Sequence, residues 1–153
     1  MAPSLAVVTS GSEAEKELIE TAADFSDCRG SELLVLRLAT RDDYGEVSDT
    51  LETIGDVEGR SYTEDEINEG LKRNARELAN DAIGDADVPV TVLLRIVDED
   101  EHADTILEVA RERECDHVFV VGQLRSPTGK ALFGDVTQKV ILNFDGNITL
   151  SME

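Results

Sequence analysis

The chain has 153 residues, of which 34 are acidic and 14 are basic, and its formal net charge is −20. This length predicts a single domain over residues 1–153 that can bury a core without disulfides or metals, and 41% hydrophobic residues indicate a folded protein. The charge argues against a nucleic acid partner, because phosphate backbones require a basic surface.

The acidic residues are spread along nearly every segment of the chain. Such a surface suits very high salt, where screening removes self-repulsion, so we expect the cytoplasm of a salt-accumulating, halophilic microbe. A functional acidic patch is the alternative. Cys28 and Cys115 form no CxxC pair, which favours reduced thiols in a cytoplasmic protein. Neither a signal peptide nor an apolar run long enough for a membrane span is apparent, so no membrane association is expected.

The first third of the chain predicts a strand, a helix and a second strand. Residues 5–9 are apolar and end at Ser10-Gly11-Ser12, which predicts a buried strand entering a tight turn. Ser12 and Glu15 fit a capping box at the start of a helix. Residues 33–39 predict the second strand. Residues 40–60 are polar, contain three glycines and lack a sustained period, which predicts a long loop.

The rest of the chain continues the alternation. Thr63 and Glu66 form another capping box, which opens a helix with a long apolar face. Residues 98–102 are an acidic turn at the start of the next helix, where negative charge is favourable. Strands are predicted at residues 90–97, 117–121 and 147–151, and a final helix near residues 135–143.

Strands that alternate with helices predict parallel β-α-β units. The strands are continuous apolar runs, as expected where helices cover both faces of a sheet. We therefore predict an α/β fold, namely a three-layer α/β/α sandwich with four helices around a five-stranded, mostly parallel sheet. Ligands of such sheets bind at the carboxyl ends of the strands, at the topological switch point. The loops at residues 9–11 and 122–134 are expected to meet there.

The segment 118–143 is the only sizeable part of the chain that is locally positive. It carries Arg125, Lys130 and Lys139 against the single Asp135, and an apolar strand leads into a glycine-containing loop before a helix. Glycines allow the backbone to approach a ligand, and N–H groups at a helix start favour anions. Phosphate binding is the leading hypothesis. A purely structural turn, with Arg125 ion-paired to a carboxylate, remains the alternative.

The chain resembles the universal stress protein family along essentially its whole length, most specifically at VVGQLRSPTGKALFGDVTQKVIL, residues 120–142. The ATP-binding branch of that family has G-x-x-G, nine residues, then G-[ST]. Gly122 and Gly134 match the first and last glycines. The resemblance implies an adenine nucleotide alpha hydrolase-like fold and a small cytoplasmic stress protein without strong catalysis that binds ATP or AMP, with Mg. The implied nucleotide-binding residues are Thr9, Ser10, Gly11, Gly122, Arg125, Ser126, Gly129, Lys130, Gly134, Asp135 and Val136.

Three departures favour a second reading. The second glycine of the motif is missing, Asp135 replaces the family's Ser or Thr, and Ser10 replaces the Asp that usually follows the first strand. The alternative is therefore a family member that binds no nucleotide and acts as a dimeric interaction module. In both readings the resemblance implies a homodimer, with other protein partners unknown. The two subunits are expected to contact each other at the last strand, through Asn147, Ile148, Thr149 and Leu150.

Other sites have weaker support. His102 and His117 lack the spacing of a metal site, and the acidic run at residues 98–101 fits a helix cap better than a cation site. An ATP pyrophosphatase would need an SGGxDS-like loop, which Ser10-Gly11-Ser12 matches only at its first two positions. A phospho-acceptor receiver domain would need acidic residues after the first strand, where this chain has Thr9 and Ser10.

Overall fold

The computed structural model describes residues 1–59, 62–122 and 134–152. The strands are β1 (Ser4–Val8), β2 (Leu33–Ala39), β3 (Val90–Ile96), β4 (His117–Gly122) and β5 (Asn147–Met152). The helices are α1 (Glu13–Arg29), α2 (Arg41–Glu58), α3 (Glu64–Ile83), α4 (His102–Glu112) and α5 (Asp135–Asn143), with a short 3-10 helix at Glu99–Glu101.

All five strands form one sheet in the order β3-β2-β1-β4-β5, and every neighbouring pair is parallel. α1 and α3 pack on one face, against a core that includes Ala6, Val35 and Phe119. α4 and α5 cover the other face, against a core that includes Leu36 and Val118. The predicted three-layer α/β/α sandwich is thus confirmed. The predicted strands are also confirmed, with ends that differ by no more than one residue.

The prediction of a long loop at residues 40–60 was wrong, because α2 occupies most of this segment. Thr40 caps its first turn through a reciprocal pair with Asp43, and Gly59 ends it in the left-handed conformation at φ 73°. The helix packs on α3, where Gly70 lets Val47 approach closely: a Cβ built at Gly70 would lie 3.0 Å from Val47 Cγ1. The described residues therefore contain five α-helices, one more than predicted.

In the described ranges, no helix is both long enough and apolar enough to cross a membrane.

Candidate functional site

A pocket of about 280 Å³ lies where β1 and β4 end. From β1 the chain continues to β2 on one side, and from β4 it continues to β5 on the other side. The chain therefore leaves the two neighbouring strands β1 and β4 in opposite directions. This is the topological switch point, where open α/β sheets bind ligands. The pocket is slightly smaller than the range of about 300–1,000 Å³ typical of sites for drug-sized ligands, which suits a small ligand.

The inner wall of the pocket is aliphatic. It is formed by Val7 of β1, Leu38 of β2, Val120 of β4 and Ile106 and Val140 of the covering helices. These residues belong to, or extend, the core between the sheet and the α4–α5 layer. An apolar wall with a few polar groups at its rim is the usual construction of a small-molecule site, since the wall gives affinity and the rim fixes orientation.

One side of the rim is the loop between β1 and α1. Ser12 begins α1, and its hydroxyl accepts a hydrogen bond from the Glu15 N–H at 3.3 Å. The predicted capping box is therefore confirmed only in this half. The Glu15 carboxylate turns back into the loop and accepts from the N–H groups of Thr9 (2.7 Å), Ser10 (3.0 Å) and Gly11 (2.6 Å). These hydrogen bonds from the backbone hold the loop in one conformation.

The opposite side of the rim is formed by Glu99 of the short 3-10 helix and by His102, the first residue of α4. His102 is only 8% exposed, and its Nε2 is buried without a hydrogen-bond partner among the described residues. A buried polar atom of this kind destabilises a protein unless water or a ligand bonds it. His102 is thus a candidate for direct ligand recognition.

The third side is the N-terminus of α5. Gly134 is its N-cap and has no side chain with which to bond the first N–H groups of the helix. Uncapped N–H groups at a helix start favour an anionic partner, and Val136 and Thr137 of this turn line the pocket. Asp135 in the same turn is exposed and is not part of the pocket wall.

The structure brings part of the predicted site together. Thr9, Ser10, Gly134 and Val136 line one pocket. Three other predicted residues, Gly11, Gly122 and Asp135, lie beside the pocket but do not form its wall in the described part of the chain. The remaining predicted residues, Arg125, Ser126, Gly129 and Lys130, lie outside the described residues.

Five polar residues of the pocket wall were not predicted as site residues: Ser12, Glu15, Glu99, His102 and Thr137. A signal for two of them existed, because Glu99 and His102 follow β3 at the same edge of the sheet as the two predicted loops. Glu15 was interpreted only as a cap. No cluster of histidine, cysteine or acidic side chains suited to a metal ion occurs among the residues that the structure describes.

Arg37 supports the loop from the other face of the sheet. Its side chain is 11% exposed, and its guanidinium donates to the carbonyl oxygens of Thr9 and Leu38. It also lies 3.8 Å from the Asp43 carboxylate, which caps α2. Arg37 therefore connects the end of β1 with the N-terminus of α2.

His117 lies far from the pocket, at the amino end of β4. Its ring stacks on Phe119 at 4.4 Å between centroids, and its Nε2 is 2.7 Å from Thr149 Oγ1. Burial lowers the pKa of His117. Next to it, Arg29 donates two hydrogen bonds to Asp116, at 2.7 and 3.2 Å, and these hydrogen bonds lower the pKa of the Asp116 carboxyl group. This cluster lies at the amino ends of the strands, opposite the pocket.

Comparison with solved structures finds the same fold. A universal stress protein from Archaeoglobus fulgidus is 20% identical, with a TM-score of 0.62, and the match covers 98% of each chain. A universal stress protein in complex with cAMP is 16% identical, with a TM-score of 0.62, over 98% of this chain and 97% of that one. A universal stress protein from Archaeoglobus fulgidus in complex with dAMP is 17% identical, with a TM-score of 0.58, over 98% of this chain and 97% of that one. The fold is therefore adenine nucleotide alpha hydrolase-like.

A comparison with curated proteins gave no significant match. The sequence profile described as "Universal stress protein family" matches residues 1–150. Because this match spans nearly the whole chain, the protein belongs to the universal stress protein family.

Proposed function

We propose that this protein binds an adenine nucleotide in the pocket at the carboxyl ends of β1 and β4 and responds to it without rapid turnover. The observation that carries the proposal is the pocket itself: an aliphatic wall, a polar rim and an uncapped helix N-terminus meet at the switch point of the sheet. Solved relatives with this fold are in complex with cAMP and dAMP, and members of the family are generally not enzymes.

The chemistry of the wall suggests how the ligand would lie. The purine has two apolar faces, which suit Val7, Ile106 and Val140, and hydrogen-bonding edges, which suit the unpaired Nε2 of His102. A phosphate group is best placed at the start of α5, where Gly134 leaves N–H groups uncapped. Arg125 and Lys130 remain phosphate contacts predicted from the sequence, and Mg would neutralise part of the negative charge of a bound ATP.

Calorimetric titration of AMP and ATP, with and without Mg, into nucleotide-stripped protein in molar KCl tests the proposal. High salt matters because the charge of −20 is poorly screened at low ionic strength. We expect saturable binding of one nucleotide per subunit. Val136→Phe should narrow the pocket and weaken binding about tenfold or more, which corresponds to about 1.4 kcal/mol.

Ile141→Phe is the matched control, because Ile141 lies on the same helix and is 37% exposed outside the pocket. Ile141→Phe should bind the nucleotide with the same affinity as the wild-type protein. Absence of binding heat together with absence of thermal stabilisation by either nucleotide would refute the proposal. An equal loss of affinity in Val136→Phe and Ile141→Phe would indicate that the nucleotide binds elsewhere.

The second candidate function is a dimeric interaction module that acts without a nucleotide. Members of the family commonly dimerise, and the observation that favours this role here is the position of β5 at the edge of the sheet, paired only with β4 among the described strands. Of the residues predicted at the interface, Ile148 and Leu150 pack against the core of the α4–α5 face. Aspartate at either position would therefore destabilise the subunit as well as any dimer.

Met152 is a better probe of this edge, because it ends β5 and is 45% exposed. We expect Met152→Asp to lower the mass measured by light scattering from that of a dimer to that of a monomer. Ile54→Asp on α2, where the side chain is 41% exposed, is the control and should leave the mass unchanged. A monomeric wild-type protein, or a dimer that survives Met152→Asp, would remove this edge from consideration.

A further inference from the structure

The imidazole of His102 lies inside the pocket with one nitrogen unpaired. His102 is the first residue of α4 and is 8% exposed. Its backbone N–H donates to the Glu99 carbonyl oxygen, whereas its Nε2 is buried without a hydrogen-bond partner among the described residues. The other histidine of the chain differs, because the Nε2 of His117 lies 2.7 Å from Thr149 Oγ1. The Nε2 of His102 is therefore available to a ligand.

The face of α4 on which His102 lies is otherwise apolar. His102 and Ile106 are four residues apart, so they share one face of the helix, and both line the pocket. The same face continues with Val109 and Ala110, which are buried in the core. An apolar residue at position 102 would extend that face, whereas an unpaired buried nitrogen lowers the stability of the empty protein. A single polar atom thus interrupts an aliphatic wall.

The polar groups on the opposite side of the pocket are already engaged. The Glu15 carboxylate accepts from three N–H groups of the β1–α1 loop, and the hydroxyls of Thr9 and Ser10 also donate to it. The Ser12 hydroxyl accepts from the Glu15 N–H. Among the described residues that line the pocket, His102 alone carries a buried polar side-chain atom without a partner.

We infer that His102 is a specificity-determining residue, because its Nε2 forms the one hydrogen bond that the buried side chains of the described pocket offer to the adenine base. A site with a buried polar group rejects a ligand that leaves this group unpaired. A neutral imidazole suits either kind of edge atom, since Nε2 accepts from the amino group in one tautomer and donates to a ring nitrogen in the other. The inference rests on the proposed function, in which the base lies against the aliphatic wall and a phosphate group at the start of α5.

Calorimetry in molar KCl compares AMP with four AMP analogues, each of which lacks one polar group of the base (the 6-amino group, N1, N3 or N7). The wild-type protein should bind the analogue without the contacted group about tenfold more weakly than AMP. His102→Leu removes both ring nitrogens, so it should bind AMP and that analogue with equal affinity, about tenfold below the wild-type affinity for AMP. His102→Gln retains a hydrogen-bonding group at similar reach and should recover part of the affinity.

His117→Leu is the matched control, because it makes the same change at the other histidine, at the amino end of β4. It should leave the affinity for AMP unchanged. Thermal unfolding of the empty proteins separates a binding role from a structural one. His102→Leu should unfold at the wild-type temperature or above it, because it removes an unpaired buried nitrogen.

Nitrogen NMR of the two imidazoles gives a direct readout of the contact. Addition of AMP to the wild-type protein should shift the Nε2 resonance of His102, because the hydrogen bond to the base fixes its tautomer. The Nε2 resonance of His117 should stay in place, since its partner is Thr149 with or without a ligand. This measurement and His102→Gln carry the test if His102→Leu does not fold.

Three results would overturn the inference alone: AMP binding by His102→Leu that equals wild-type binding, a His102 resonance that is unchanged at saturating AMP, or a loss of affinity in His102→Leu that is the same for AMP and for all four analogues. The third result would mean that His102 contacts the ribose or the phosphate group. A wild-type protein that binds neither AMP nor ATP would refute the proposed function, and this inference with it.

Discussion

Replacing Arg37 with methionine tests whether the buried guanidinium holds the end of β1 in place. Methionine keeps most of the volume of the side chain but removes its donors. The two hydrogen bonds to the Thr9 and Leu38 carbonyls are made by a charged group, and such bonds contribute about 1.5–3 kcal/mol each, which sets an upper limit of roughly 6 kcal/mol. The Asp43 contact adds little, because it is 3.8 Å long and 35% of that side chain is exposed.

Part of this loss is recovered because the variant no longer buries a charge. We therefore expect Arg37→Met to lower the free energy of unfolding by about 2–4 kcal/mol. For a chain of this length the unfolding temperature should fall by about 4–16 °C. Urea unfolding followed by circular dichroism in molar KCl measures the difference. Amide exchange at Thr9, Ser10 and Gly11 should also accelerate, since these residues follow the strand that Arg37 anchors.

Arg76→Met is the matched control, because Arg76 pairs with Glu69 at 3.3 Å on the exposed surface of α3. Its unfolding free energy should stay within about 0.5 kcal/mol of the wild-type value. If Arg37→Met is as stable as Arg76→Met, the buried hydrogen bonds contribute no net stability and the anchoring role is wrong.

Three further changes probe other parts of the fold. Burial lowers the pKa of His117, so the folded state binds fewer protons than the unfolded state, and stability should fall as the pH drops below the unfolded-state pKa of about 6.5. Urea titrations at pH 7.5 and 5.5 should show a smaller loss of unfolding free energy in His117→Gln than in the wild-type protein. Gly146→Ala should destabilise the protein by about 1–3 kcal/mol in the same assay, because the new Cβ would lie 2.7 Å from the Phe144 ring and 2.8 Å from the Asp116 carbonyl oxygen. Unchanged stability would show that the ring and the backbone both adjust at no cost. Cys28 is exposed, whereas burial raises the pKa of Cys115 to about 11, so at pH 8 one thiol should react with an alkylating reagent in the folded protein and two after unfolding.

Most of the fold was predictable because its strands are uninterrupted apolar runs and two of its helices begin at recognisable caps. α2 was not, because its glycines and acidic residues outweigh its sparse apolar positions. The half-buried positions Tyr44, Val47 and Leu51 do recur at helical spacing, and Thr40 with Asp43 forms a capping box. That period is weak because the helix packs mainly on α3 and hardly on the sheet, and contact with another helix cannot be read from local sequence.

The candidate site was predictable in position but not in chemistry. The switch-point rule placed the loops at Thr9 and Gly134 together, and one pocket contains both. The role of Glu15 was missed because a glutamate at the third position of a helix usually bonds the N-cap residue. Here the side chain reaches further back along the chain, and only the conformation of the loop decides which N–H groups it meets.

The strand order also has a consequence for synthesis of the protein. A nascent chain that has emerged as far as Ile96 already contains β1, β2 and β3, which pair in sequence, together with the helices of one layer. β1 then has one open edge, because its second neighbour, β4, is still inside the ribosome or its exit tunnel. Every residue of β1 is buried in the finished protein. A strand that is fully buried in the mature sheet is therefore exposed along one edge during translation, when an open edge can pair with another chain.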